Sequence, residues 1–231
     1  MEPSSYIKKG RWKSMSKVKA VALGLGITLV LALVIIFIGG QGNEGPTLYE
    51  GPSLNTTRVT VQPEDTVEEL SETLPKATVA ELIEHSDTIV IGTVTNILPA
   101  RRCRVRWTSI IYTDVIVEVD RYLYGEPESE RVGIQAWGGR IGNEVMIVEN
   151  EAVFNIDEDV VIFLFRIPYD ATPPYGINEL SYYTVCGTCL GKFAYQAEGL
   201  VNNGWLEDFP GQVMSISALE IRIAETKGRG W

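Results

Sequence analysis

Residues Ala20 to Gly40 run for twenty-one positions without a charged side chain, and no other feature constrains the chain as much. At a helical rise of about 1.5 Å per residue the run reaches roughly 31 Å, close to the roughly 30 Å hydrocarbon thickness of a bilayer. Thr28 is the one polar side chain inside it, and a helical threonine hydroxyl can return its hydrogen bond to a carbonyl of the preceding turn. The run therefore predicts a transmembrane helix over residues 20–40, with the lipid bilayer as its partner.

Six basic residues (Lys8, Lys9, Arg11, Lys13, Lys17 and Lys19) precede this run, and Arg58 alone follows it within twenty residues. The positive-inside rule then leaves residues 1–19 as a cytoplasmic basic tail and residues 41–231 outside the cell membrane. A cleaved secretory leader is the competing reading, because Gly39, Gly40 and Gly42 would suit a cleavage site. The length argues for a retained single-pass signal anchor, since leader cores run about 7 to 15 residues. No cysteine lies near residue 40 to carry a lipid.

The formal charge of −10 is unevenly spread: setting the six basic residues and Glu2 of the tail aside from totals of 20 and 30 leaves 14 basic and 29 acidic residues outside. An outer net charge of about −15 disfavours nucleic acid and anionic headgroups and favours solubility, divalent cations or basic partners. A solvated acidic surface is the simplest reading. Asn55-Thr56-Thr57 is a glycosylation sequon on the outer side, with Asn55 the candidate acceptor, in a segment whose composition reads as flexible.

Gln41 to about Asn55 is rich in Gly, Pro, Asn and Glu without apolar periodicity, and residues 41–75 read as a linker before a domain at 76–231. Within that linker Thr66-Val67-Glu68-Glu69 predicts a short helix with Val67, Leu70 and Leu74 on one face, ended by Pro75. Thr78 and Glu81 make a capping box for a helix reaching His85, with Val79, Leu82 and Ile83 as its apolar stripe. Period-two segments follow at Thr88–Thr95, Ile111–Val119, Val132–Trp137, Glu144–Val148, Val160–Phe165, Tyr182–Val185 and Lys192–Gln196, separated by Gly, Pro, Asn and Asp turns. Ser217 with Glu220 opens a last helix ending near Gly228. Many short strands with a helix at each end predict a mainly β domain, an antiparallel barrel or sandwich with short flanking helices. A parallel α/β sheet would need helical crossovers that this stretch lacks.

Ser86-Asp87-Thr88-Ile89-Val90-Ile91-Gly92-Thr93-Val94, Tyr112-Thr113-Asp114-Val115, Tyr124-Gly125, Gly138-Gly139, Val160-Val161-Ile162-Phe163-Leu164 and Gly191-Lys192-Phe193 together resemble a group of uncharacterised extracytoplasmic β-domains of secreted or membrane-anchored prokaryotic proteins. The resemblance spans about residues 78–226 and implies no function. A weaker likeness, carried by the apolar strand ending Gly92-Thr93-Val94, is similar to netrin-like domains and tissue inhibitors of metalloproteinases. It implies an OB-like barrel. Those inhibitors act through a free amino-terminal cysteine, which the start of this domain lacks.

Cys186-Gly187-Thr188-Cys189 is the motif with the most chemical content, because the C-x-x-C spacing can close a disulfide, bind a metal or shuttle electrons. A Cys186–Cys189 bridge and a bridge from Cys103 to one of the pair both stay open. Redox catalysis would need a helix amino terminus to lower a thiol pKa, whereas Leu190 to Tyr195 reads as turn and strand. A zinc site would have to recruit Cys103 and His85 from distant positions, so neither metal nor cofactor is expected. His85 reads as a solvated residue at a helix end, Asp157-Glu158-Asp159 as a hairpin turn, and Gly138-Gly139-x-x-Gly142 as a turn needing positive φ. Arg101, Arg102, Arg104 and Arg106 read as partners of the domain's own carboxylates. Trp137, Tyr169, Tyr175, Tyr182, Tyr183 and Trp205 supply aromatic surface for a sugar or peptide, with Trp137 and Tyr183 assigned to the core. No catalytic residue emerges. The sequence thus predicts a membrane-anchored, non-catalytic binding or scaffold domain for an envelope protein or glycan. The alternative is a thiol-disulfide oxidoreductase using Cys186 and Cys189.

Overall fold

The structure, a computed structural model, describes residues 54–71, 76–105, 108–167, 180–197, 199–202, 206–209 and 213–228. The predicted transmembrane helix lies outside them, and among the described residues no helix is long and apolar enough to cross a membrane.

In chain order the strands are β1 (Thr66–Leu70), β2 (Thr88–Ile97), β3 (Arg101–Val105), β4 (Thr108–Tyr124), β5 (Arg131–Trp137), β6 (Gly139–Ile141), β7 (Glu144–Val148), β8 (Asp159–Arg166), β9 (Ser181–Val185), β10 (Lys192–Gln196) and β11 (Gly199–Val201), and the helices are α1 (Val79–His85) and α2 (Ile216–Lys227). All seven segments predicted as strands lie within these strands. The capping box forms as expected: Thr78 Oγ1 accepts from the Glu81 amide at 3.2 Å, and the Glu81 carboxylate accepts from the Thr78 amide at 2.8 Å. Val79, Leu82 and Ile83 are buried beneath it. The last helix starts earlier than Ser217 because Ser215 takes the cap, accepting from the Ala218 amide at 3.2 Å. That start sets Leu219 and Ile223, four residues apart, on the buried face.

The helix predicted from Thr66 is corrected: the segment is β1, parallel to β7, with Thr66 opposite Glu144 and Leu70 opposite Val148. Two or three apolar contacts do not sustain an isolated helix of this length, whereas the edge of β7 offers backbone donors and acceptors along all five residues. The expected linker is corrected with it. The chain joins the domain already at Leu54, whose amide reaches the Ile97 carbonyl at 2.7 Å, and Thr57 N donates to the Phe154 carbonyl at 3.0 Å.

The domain is mainly β, in a three-stranded sheet ordered β1-β7-β6 and an eight-stranded sheet ordered β11-β10-β8-β2-β4-β5-β9, with β3 added on β4. The predicted all-antiparallel barrel is corrected in two respects. The sheets do not close into a true barrel, and β1 runs parallel to β7 as β9 does to β5. β9 also pairs antiparallel with β8 over three residue pairs, so the larger sheet curls back on itself while β10 and β11 extend beyond it.

Curling leaves β2 and β8 apolar on both faces. Val90, Val94, Ile162 and Leu164 join Val115, Val117 and Ile134 in one core, and Ile89, Val161 and Phe163 join α1, α2 and Phe193 in the other. Both faces being covered explains why these strands read as near-continuous apolar runs rather than strict alternation.

β9 and β10 share one edge of β8, end to end. Val185 pairs with Leu164 and Lys192 with Ile162, so the six residues Cys186 to Gly191 stand opposite Phe163 alone. They leave the sheet, pass through a 3-10 turn at Thr188–Gly191, and return.

Candidate functional site

The Cys186–Gly191 excursion carries the C-x-x-C motif. Gly187 (φ 67°) and Thr188 (φ 56°) are both left-handed, a conformation that costs a β-branched threonine energy. At the foot of the excursion, a Cβ on Gly191 would lie 2.2 Å from the Cys186 carbonyl oxygen. The motif follows no helix start of the kind that stabilises a thiolate. Cys186 and Cys189 are free thiols in the structure, with no disulfide between them. Burial pushes the Cys186 thiol up, with Ser86, Asp87 and Lys227 around it, and burial likewise raises Cys189, whose neighbours are Glu151 and Thr188. Cys186 Sγ lies 4.0 Å from the Leu82 carbonyl oxygen at α1, whereas the Cys189 amide donates to the Asn150 carbonyl at 3.0 Å. The backbone and pairing of Cys103 on β3 are described; its side chain lies outside the described residues.

His85 is exposed, with Nδ1 2.8 Å from the Glu81 carbonyl oxygen. Among the described residues no cluster of three His, Cys, Asp or Glu side chains could hold a metal ion. Arg101 and Arg102 pair with carboxylates as expected. The Arg101 guanidinium grips Asp114 through Nε at 2.6 Å and Nη2 at 2.8 Å, and Arg102 bonds Glu144. Gly138, Gly139 and Gly142 all adopt positive φ as expected, but the turn itself is confined to Gly142 and Asn143, since Gly139 to Ile141 form β6. Tyr183 lies in the core, while Trp137 is half-buried and meets the Tyr112 ring edge-on at 6.1 Å.

Asn55 is exposed, but the segment around it is fixed to the domain, contrary to its flexible composition. Its carbonyl accepts from the Ile156 amide at 2.9 Å, Thr56 Oγ1 donates to the Phe154 carbonyl at 3.0 Å, and Thr57 Oγ1 accepts from the Phe154 amide at 2.9 Å. Farther along, Arg140 reaches across to the Thr60 carbonyl at 2.6 Å and to both oxygens of Asp65. Residues 54–65 thus form a strap tied to the end of β2, to Phe154 and Ile156 and to Arg140 of β6, beside a cleft of about 370 Å³ that Arg58, Pro99, Ala100, Thr113 and Arg140 help to line.

The strap delivers the chain into β1, and β1 presents what sequence reasoning missed. Thr66 N donates to the Asn143 carbonyl and Glu149 N donates to the Leu70 carbonyl, each at 2.8 Å. These two bonds set the phase of the ladder: Thr66, Glu68 and Leu70 turn their backbone groups toward β7, and Val67 and Glu69 turn theirs outward. Among the described residues no strand pairs with that outer edge. Glu64, Val67, Glu68 and Glu69 are all exposed along it. The available signal was the adjacent β-branched pair Thr66-Val67, which favours a strand over a helix. No protein-family profile matches this chain, and no curated protein matches it either.

Proposed function

We propose that this chain is a single-pass membrane protein whose outer domain is a non-catalytic binding or scaffold module. The bilayer anchor rests on the charge-free run 20–40 and its basic flank. The observation that carries the binding reading is the open, acidic edge of β1, a row of backbone hydrogen-bonding groups that another chain can complete. The curl of the larger sheet, in which β9 pairs with both β5 and β8 without a true barrel being closed, supports an OB-like arrangement for that sheet, with β5–β9 its parallel seam. OB-like scaffolds serve many unrelated functions, so the function is argued from the edge and not from the fold.

The oxidoreductase alternative is disfavoured because desolvation pushes both thiols above their ordinary range, and the thiolate is the nucleophile in disulfide exchange. The test is protease treatment of intact cells or spheroplasts producing the full chain. Digestion of the domain with survival of a fragment of about the first forty residues is the expected result. Protection of the whole domain, or turnover by the purified chain in an insulin-reduction assay, would overturn the reading.

A further inference from the structure

The outer edge of β1 is selective as well as open. Val67 and Glu69 direct both backbone donors and both acceptors away from β7, and the side chains of this stretch leave Val67 37% exposed on one face of the pleat beside Glu69, with Glu68 on the other. Asp65 is already committed to Arg140. Glu68 and Glu69 have no ion-pair partner among the described residues, while Glu64 adds its charge to the field around Arg140.

Two occupants of such an edge can be compared on charge. A second copy pairing antiparallel through Val67 and Glu69 would set Glu68 opposite Glu68, and like charges directly opposite one another destabilise a strand pair. A segment with Lys or Arg at alternate positions lays its cations along one face of the pleat, where they meet Glu68 on one face or Glu69 on the other with opposite charge, and its own backbone completes the ladder. We propose that β1 docks an extended, basic segment of a partner protein, which adds a fourth strand to the sheet β1-β7-β6. This rests on the reading of the domain as a binding module and names the chemistry of its partner.

The test uses the full chain in zwitterionic detergent micelles, titrated with an amidated Lys-Val octapeptide of alternating sequence and with its Glu-Val counterpart. The Lys-Val peptide is expected to bind, with exchange protection gained at the Val67 and Glu69 amides. Val67→Pro removes an outward donor while leaving the residues that face β7 intact, and should weaken binding at least tenfold. The double substitution Glu68→Lys, Glu69→Lys, at exposed positions with no folding role in the structure, should exchange the preference to the Glu-Val peptide. Equal binding to wild type and Val67→Pro would show diffuse charge attraction only and would overturn the proposal. So would no binding, or a dimer abolished by Val67→Pro. A disulfide-exchange activity, by contrast, would overturn the non-catalytic reading and leave the peptide result standing.

Discussion

Lys227 sets its ammonium 4.2 Å from the centre of the Tyr124 ring. The same ammonium donates to the carbonyls of Glu84 at 3.2 Å and Ser86 at 3.1 Å. One side chain from the end of α2 therefore satisfies acceptors at the end of α1 and stacks its charge on β4. The last carbonyls of a helix need such partners, and a cation there also complements the helix dipole.

Lys227→Met keeps much of the apolar stem and removes the charge. Two hydrogen bonds and a partly exposed cation–π contact are lost together, so stability should fall by about 1 to 2 kcal/mol. A lower urea midpoint with an unchanged slope is the expected readout, and an unchanged midpoint would show that water replaces the ammonium at no cost.

The strap supplies a pH prediction. Hydrogen bonding from Arg140 is the main cause that holds the Asp65 carboxyl below its ordinary range, with the Gln62 amide adding to it. A carboxylate whose pKa is depressed by folding contributes stability above its unfolded value of about 3.9, and that contribution is lost as pH falls through the lower folded value. Below about pH 4 the strap should loosen. An acid-active protease should cut residues 54–65 faster as pH drops through this window, and Asp65→Asn should remove that dependence while cutting faster at neutral pH.

The excursion opposite Phe163 makes two linked predictions. In the native chain Cys186 and Cys189 should alkylate slowly, because burial keeps both protonated, and both should alkylate fully in denaturant without any reductant. Peptide-level mass spectrometry resolves each cysteine. Gly191→Ala should destabilise by about 2 kcal/mol or more, since the new Cβ would overlap the Cys186 carbonyl oxygen, a backbone atom that moves only if the sheet moves.

The strands of the larger sheet were legible wherever a segment carried several β-branched residues in alternation, as in Ile111 to Val119, or a continuous apolar run, as in Val160 to Phe165. β3, β6 and β11 were not, because each is short and owes its state to the neighbour it pairs with. Arg101 to Val105 is a strand because β4 runs on past β2 and offers it an edge. β1 is the most instructive case: Val67 and Leu70 sit three apart, as on a helix, and only the open edge of β7 decides against it. The stretch after the motif, Leu190 to Tyr195, reads correctly as turn and strand. Which groups each thiol meets is not legible, since spacing along the chain does not reveal that Cys186 reaches the Leu82 carbonyl of α1 while the Cys189 amide bonds Asn150.

Because the domain takes hold of the chain at Leu54, only thirteen residues separate it from Gly40. Fully extended at about 3.5 Å per residue they reach roughly 45 Å. A leash beginning at residue 76 would allow more than twice that. With the anchor ending at Gly40 as proposed, the domain samples a thin shell against the outer surface of its own membrane. A partner in that same membrane meets β1 at a high local concentration, and one tethered to a distant layer does not meet it at all.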